Sequence, residues 1–400
     1  MAGIVIVGAG QAAASLAAKL RALGHDGPLT IVGEEPVAPY QRPPLSKGYL
    51  LGEMPLERLM LRAPSFWEDQ RVTLRLGAPV TAIDRVAKTV TVAGEALVYD
   101  QLALTTGAVP RRLPSAIGGD LDGVYTVRTL ADVDAMAPEF EPGRRLVVVG
   151  GGYIGLEAAA VARKLGLEVT VVELAPRILA RVASAETAQA VAGLHARHGV
   201  TIRTGTGLAR LAGEGRVTGA ELDDGSILPA DFVIVGVGIT PDTRLAEAAG
   251  LEIDNGIAVD DQGRTSDPAI WAAGDCAAFP HAGGRLRLES VGNAIDMGEL
   301  VAANMLGAGK AYVPKPWFWS DQYDMKLQIA GLNTGYDRTV RRAAGDGLSI
   351  WYFAGDRLLA VDAIDDPRAY MIGKRLIEAG RSPDPAALAD PATDLKALLA

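Results

Sequence analysis

The chain opens on a short β-branched run, Ile4 to Val7, whose unbroken apolar character predicts a buried strand. Gly8 to Gly10 turns it, and Ala12 to Leu23 reads as an alanine-rich helix that closes near Gly24. Leu29 to Val32 predicts a second strand, followed by Glu34 and Glu35. Together these form a strand–helix–strand unit with a right-handed crossover expected. The order returns at Leu146 to Val149, Gly150 to Gly152, Ile154 to Leu165 and Val169 to Val172, ending at Glu173. Between the two units, residues 36–70 are punctuated by Pro39, Pro43 and Pro44 and predict a long functional loop with a short helix. Alternation marks strands at 72–76, 80–83, 89–92 and 97–105. The second unit continues with a helix over 184–198, a strand near 200–203, a hairpin of 208–211 with 217–222, and a strand over 232–237. Ile270 to Ala273 predicts a strand running into Gly274-Asp275, and Val291 to Leu306 a helix. From Trp317 the character changes. Strands at 326–330, 339–343, 348–353 and 357–363 precede helices at 367–379 and 385–399. The pattern is α/β, with a duplicated unit and an α+β tail.

Composition narrows the function. The 400 residues suit two or three domains, and 49% apolar residues can fill their cores. A net charge of −9 argues against a nucleic-acid binder. No charged side chain precedes Lys19, yet the basic start of a signal peptide is missing and Gly8 and Gly10 interrupt the run, so no membrane segment is expected. The single cysteine, Cys276, cannot form a disulfide within the chain; it predicts a buried, inert thiol and a cytoplasmic location. His25, His195, His198 and His281 form no metal set, and His195 with His198 reads as surface decoration of one helix face.

Two glycine-rich fingerprints carry the chemistry. In Gly8-Ala9-Gly10-Gln11-Ala12-Ala13, Gly8 makes the tight turn and Gly10 clears room for a pyrophosphate. Ala13 still permits close helix–strand packing, the diphosphate would sit on the helix N-terminus, and Glu34 can accept ribose hydroxyls. The second fingerprint is Gly150-Gly151-Gly152-Tyr153-Ile154-Gly155, with Glu173 ending the next strand. An acid there favours the free 2′-hydroxyl of NAD over a 2′-phosphate, while Arg177 and Arg181 keep NADP open. Two dinucleotide sites in one chain are explained by a flavin paired with a nicotinamide.

Further motifs resemble those of the FAD-dependent ferredoxin reductases of bacterial oxygenase systems, over nearly the whole length. Residues 39–47 (Pro39, Tyr40, Gln41, Arg42, Pro43, Pro44, Leu45, Ser46, Lys47) resemble that family's FAD loop, which implies that Arg42 and Lys47 approach the flavin. Thr105-Thr106-Gly107 resembles the crossing between nucleotide domains, Val80 a backbone contact at the adenine end, and Arg128 a flavin-side arginine. Residues 265–275 resemble the second FAD motif, in which Asp275 after Gly274 binds the ribityl chain. Val291 resembles the residue at the isoalloxazine carbonyl edge, and Trp319 an aromatic residue packed near the flavin. The resemblance also implies that Glu157, in the first turn of its helix, lies near the nicotinamide and Lys47, with Gly238 on the other flank. No general acid or base is named, because hydride moves directly between two rings held at stacking distance.

Glutathione-reductase-like enzymes share this plan but place a cysteine pair beside the flavin, and this chain has none. Electrons are therefore expected to leave singly, to an external protein. The expected architecture is an FAD domain at 1–110 and 240–315, a nicotinamide domain at 111–239 and a C-terminal α+β domain at 316–400. The expected reaction runs from NADH through non-covalent FAD to a [2Fe-2S] ferredoxin serving a cytochrome P450 or a Rieske oxygenase. The protein is expected to be a monomer or weak dimer. Arg111, Arg112, Arg285, Arg287, Lys310 and Lys315 are candidates for a basic ferredoxin-docking face. Rival readings are a reductase of rubredoxin, quinone or dioxygen, and a redox-sensing interaction protein.

Overall fold

A computed structural model describes residues 3–399. The chain divides into two compact units. The first comprises Met1–Arg42, Pro55–Val109 and Ile239–Pro316; the second comprises Pro43–Met54, Pro110–Gly238 and Trp317–Ala400.

In the first unit, the buried run Ile4, Val5, Ile6 and Val7 forms the strand Gly3–Val7. It pairs in parallel with Leu29–Val32 on one side and Glu95–Leu104 on the other. The described sheet runs Thr73–Arg75, Leu29–Val32, Gly3–Val7, Glu95–Leu104, Thr89–Val92, Val80–Asp84, with Ile270–Ala272 also beside Glu95–Leu104. The alanine-rich helix Gln11–Ala22 buries Ala12, Ala13, Leu16, Ala17 and Leu20. Small residues let it meet the helix Val291–Met305 closely: a Cβ on Gly298 would lie 2.7 Å from the Ala12 carbonyl oxygen. Of the loop over 36–70, this unit holds the short helices Leu56–Leu59 and Pro64–Asp69, while the 3₁₀ turn Pro43–Ser46 belongs to the second unit.

The second unit repeats the plan. Its parallel sheet runs Thr201–Thr204, Glu168–Glu173, Arg145–Val149, Phe232–Val235, Val124–Tyr125. The hairpin Leu208–Glu214 with Arg216–Leu222 gains Ile227–Pro229 as a further strand. An antiparallel sheet follows in the order Trp317–Gln322, Met325–Gly331, Arg357–Ile364, Gly347–Ala354, Arg338–Ala344, packed by the helix Pro367–Glu378. The helix expected over 385–399 is broken into Pro385–Ala389 and a 3₁₀ turn, Leu395–Leu399. Pro391 cannot continue a helix, and the Arg342 guanidinium gathers the freed carbonyls of Leu388, Asp390, Pro391 and Thr393.

A buried polar knot joins the antiparallel sheet to the helix Ala185–Arg197. Tyr352 and Thr187 both donate to Asp362 Oδ2, and the Tyr352 hydroxyl accepts from the Ser184 backbone N–H. Burial pushes the Asp362 carboxyl up from 3.8 to about 6. A carboxyl that holds its proton more tightly when folded stabilises the fold fully below its unfolded pKa and loses that contribution as pH rises through its folded value. Asp362→Asn is therefore expected to flatten a stability decline of about 2–3 kcal/mol between roughly pH 4 and pH 6. Urea midpoints of wild type and variant across that window check it; a wild-type-minus-variant difference that does not vary with pH rules it out.

Candidate functional site

The two fingerprint turns are built alike, and each separates its glycines into two physical roles. Gly8 has φ +102 and a Cβ there would strike the Thr105 carbonyl; Gly150 has φ +108 and its Cβ would strike the Gly236 carbonyl. Both are required by the fold. Gly10 and Gly152 are different. They take ordinary φ values of −100 and −82 at the N-caps of Gln11–Ala22 and Tyr153–Lys164, and among the described residues no atom beyond the chain neighbours lies within 4 Å of where a Cβ would stand. The fold alone gives no reason for glycine at either place. Neither helix receives a side-chain cap, whereas the long helices beginning at Ala185, Val291 and Pro367 are capped by Ser184, Ser290 and Asp366. Open room and uncapped N–H groups fit a dinucleotide diphosphate at each turn.

Around the first turn, Ala12 and Ala13 are buried in the helix contact, and Gly274, at φ +82, lies against Ala12. Its neighbour Asp275 thereby comes from a distant stretch of chain to the start of the helix Gln11–Ala22. Thr105 donates to the Val7 and Gly8 carbonyls; Thr106 donates to the Asp242 carbonyl at 2.6 Å, and the Gly107 carbonyl accepts from Asp242 N–H. Glu34 is exposed just past its strand. Arg42 pairs with Glu35 at 2.6 Å, and Tyr40 donates to the same carboxylate. Val80 opens a strand half-buried, and Val291 is the first residue of its helix.

Around the second turn, Gly155 packs its Cα face onto the Gly150 carbonyl, where a Cβ would come within 2.5 Å. Glu173 accepts from Gly151 N–H at 2.7 Å and from Ala175 N–H at 2.8 Å, so the acid that ends the strand also braces the loop. Ile154 is 43% exposed, unusual for a large aliphatic side chain at a helix start. The Tyr153 hydroxyl is buried without a hydrogen-bond partner among the described residues; burial, with Asp362 next, pushes its pKa well up. Gly238, at φ +105, accepts from Arg111 N–H and lies near the Arg181 guanidinium. Arg181 is exposed, but Arg177 is engaged with the carbonyls of Leu179, Ala180 and Ser184.

The turn Pro43–Ser46 delivers Ser46 and Lys47 to Glu157. Lys47 Nζ and Ser46 Oγ each lie 2.6 Å from Glu157 Oε2, and Ser320 Oγ lies 2.7 Å from Oε1. The carboxylate is 3% exposed. Glu157 is the fifth residue of its helix, a turn further in than expected, so these donors rather than the helix terminus hold its charge. Trp319 stacks on Trp317 at 5.5 Å in the strand that carries Ser320, and Phe318 meets Tyr153 at 5.0 Å. Arg128 is half-buried just before the capped helix Leu130–Met136. Lys47, Arg128 and Trp319, expected on the flavin side, thus belong to the same unit as the second fingerprint.

Several expectations need correction. His195 is no surface residue: it is fully buried and bonded to Gln322. Arg287 is spent on Glu289 and the Asn255 and Asp275 carbonyls, and Arg285 on the Val259 and Ala278 carbonyls. Neither is a free docking cation. Cys276, by contrast, is buried as expected, and burial raises its thiol pKa. Ser46 was visible beside Lys47 in the loop motif; Ser320 and Gln322 carried no signal in the sequence.

Two dinucleotide folds and a buried lysine–glutamate pair define a two-nucleotide oxidoreductase. Comparison with protein families matches residues 2–298 to the pyridine nucleotide-disulphide oxidoreductases and residues 317–399 to the reductase C-terminal domain. The chain belongs to the pyridine nucleotide-disulphide oxidoreductase family. It is 44% identical to rhodocoxin reductase of Rhodococcus erythropolis, over 99% of this chain and 94% of that protein. It is 42% identical to putidaredoxin reductase of Pseudomonas putida, over 99% and 96%. The crystal structure of a covalent putidaredoxin reductase–putidaredoxin complex superposes with a TM-score of 0.95 at 41% identity, covering 100% of this chain and 98% of that one.

Proposed function

We propose that this chain is an NADH-dependent ferredoxin reductase that serves a cytochrome P450 or Rieske oxygenase through a [2Fe-2S] ferredoxin. FAD supplies the conversion of a two-electron donor into single electrons. NADH gives NAD⁺, one proton and two electrons, and two ferredoxins each take one. The observation that carries the reading is the pair of uncapped dinucleotide turns in a chain whose only cysteine is buried beyond reach of any partner thiol. Relatives named as reductases of rhodocoxin, ferredoxin and putidaredoxin, each matched over at least 94% of its length, support the outward route.

On this reading Gly8, Gly10, Ala12, Ala13, Glu34, Arg42, Val80, Thr106, Gly107, Gly274, Asp275 and Val291 hold FAD, joined by Lys47, Arg128 and Trp319. Gly150, Gly152, Tyr153, Ile154, Gly155, Glu173, Arg181 and Gly238 hold NADH. Glu157 joins the NADH set near the nicotinamide and keeps in place the Lys47 ammonium, which approaches the flavin. We also assign the protein to the cytoplasm, in keeping with its free, buried thiol; among the described residues no helix is long and apolar enough to cross a membrane.

Anaerobic mixing of the FAD-loaded protein with NADH, then with a [2Fe-2S] ferredoxin, tests the reading. Two ferredoxins reduced per NADH are expected. Flavin reduction followed by electron delivery only to rubredoxin, quinone or dioxygen would sink it. Cofactor choice tests Glu173. A carboxylate about 5 Å from a 2′-phosphate opposes it by roughly 3 kcal/mol at an effective dielectric of about 20. Glu173→Ala is therefore expected to lower the NADH over NADPH preference in kcat/KM by at least tenfold, and an unchanged ratio removes Glu173 from the ribose site.

A further inference from the structure

Beyond Lys47 and Ser46, the other oxygen of Glu157 faces a file of buried polar groups that neither nucleotide fold requires. Ser320 Oγ lies 2.7 Å from Glu157 Oε1, Gln322 Nε2 lies 3.0 Å from Ser320 Oγ, and His195 Nε2 lies 2.7 Å from Gln322 Oε1. The Tyr323 hydroxyl stands 3.5 Å from His195 Nδ1, a long outer link. Ser320, Gln322 and His195 are 0%, 1% and 0% exposed. Strand periodicity puts Ser320 and Gln322 on one face, and His195 comes from the last turn of Ala185–Arg197.

The chemistry of each group dictates the direction of every bond. A carboxylate only accepts, so Ser320 donates to Glu157. The Ser320 lone pairs are left to accept, so Gln322 turns its NH₂ towards them and its amide oxygen towards His195. His195 then donates from Nε2, and Nδ1 is left to accept from Tyr323. Burial lowers the His195 pKa, with His198 adding to it and the Gln322 hydrogen bond opposing it, which favours the neutral ring. His198 stacks on Tyr323 at 3.7 Å and closes the outer end. A buried file with all its donors pointing one way polarises cumulatively towards the carboxylate.

We propose that Ser320, Gln322 and His195 are positioning residues for hydride transfer, a one-way chain of donors that holds the Glu157 carboxylate in its orientation opposite Lys47. The inference rests on the reading of Glu157 as a nicotinamide-side group. Ser320 is the partner of Oε1 among the described residues, while Lys47 and Ser46 share Oε2, so the chain fixes the second oxygen and with it the plane of the carboxylate. It conducts no proton, because the Gln322 amide would have to leave its stable tautomer to do so.

Two measurements on the FAD-loaded protein test it. Nitrogen NMR of ¹⁵N-histidine-labelled protein is expected to show His195 as the neutral Nε2–H tautomer throughout about pH 6 to 8. An Nδ1–H tautomer, or a ring that titrates in that range, overturns the proposal. In anaerobic stopped-flow, Ser320→Ala and Gln322→Leu are expected to slow the limiting rate of flavin reduction by roughly tenfold while the Kd for NADH moves less than about threefold. His195→Leu should lose as much, and His195→Gln, which can still donate to Gln322, should recover most of it. In a Glu157→Gln background, Ser320→Ala should add nothing. A normal rate in Ser320→Ala, or an effect that adds to that of Glu157→Gln, refutes the chain alone. A normal rate in Glu157→Gln itself refutes the site reading beneath it.

Discussion

Gly152→Val is expected to leave the fold and FAD content intact while raising the KM for NADH by about a hundredfold. The backbone at Gly152, φ −82 and ψ 173, suits a β-branched residue, and among the described residues no atom beyond the chain neighbours lies within 4 Å of its Cβ position. The protein without nucleotide should therefore tolerate the change. The added side chain instead occupies the room in front of the uncapped N–H groups, where a diphosphate would sit. Charge-assisted hydrogen bonds contribute about 1.5–3 kcal/mol each, so losing one or two gives the stated factor. Gly150→Ala is the control with the opposite signature. Its φ of +108 and the Gly236 carbonyl leave no place for a Cβ, so stability should fall by at least about 1–3 kcal/mol. Thermal midpoints, flavin-to-protein ratios and calorimetric NAD⁺ binding separate the two. Equal losses of stability in both variants would show that Gly152 serves the fold and not a ligand.

The second large effect concerns the Lys47–Glu157 pair. Glu157→Leu should destabilise the protein by about 3–5 kcal/mol, because the ammonium loses its partner while Ser46 and Ser320 lose an acceptor. The Lys47 and Glu157 side chains are only 19% and 4% exposed, so water cannot replace the lost bonds cheaply. Adding Lys47→Met should recover much of that stability, since an apolar pair of similar volume avoids the desolvation cost of two charges. It should not recover hydride transfer. Urea unfolding and single-turnover flavin reduction by NADH measure the two properties separately. A double variant that transfers hydride at the wild-type rate would reduce the pair to a structural ion pair.

Much of this protein is legible locally. The β-branched run from Ile4 to Val7, the alanine-rich helix behind it and their recurrence from Leu146 follow from periods that a short window of chain displays. The helix starts could also be anticipated, because Ser184 and Ser290 are cap residues whose preference is intrinsic. The end of the chain was harder. The run over 385–399 has helical composition, but Arg342, from a strand nearly fifty positions earlier, competes for the carbonyls that a helix would use. His195 is hidden from the sequence for a related reason: a histidine near a helix end reads as polar surface, and its buried partner Gln322 arrives on the strand Trp317–Gln322, far along the chain.

The sequence by itself determined that two dinucleotide turns exist, where they begin, and that no cysteine pair could receive the electrons. Those properties depend on residues within a few positions of one another and on a simple count. Only the tertiary structure decided which glycines the fold needs and which it leaves free, because Gly8 and Gly10 differ in what lies across from them, not in what they are. It also decided what surrounds Glu157. Ser46 and Ser320 stand 111 and 163 positions away, and a hydrogen bond senses distance in space, which packing sets, not separation along the chain.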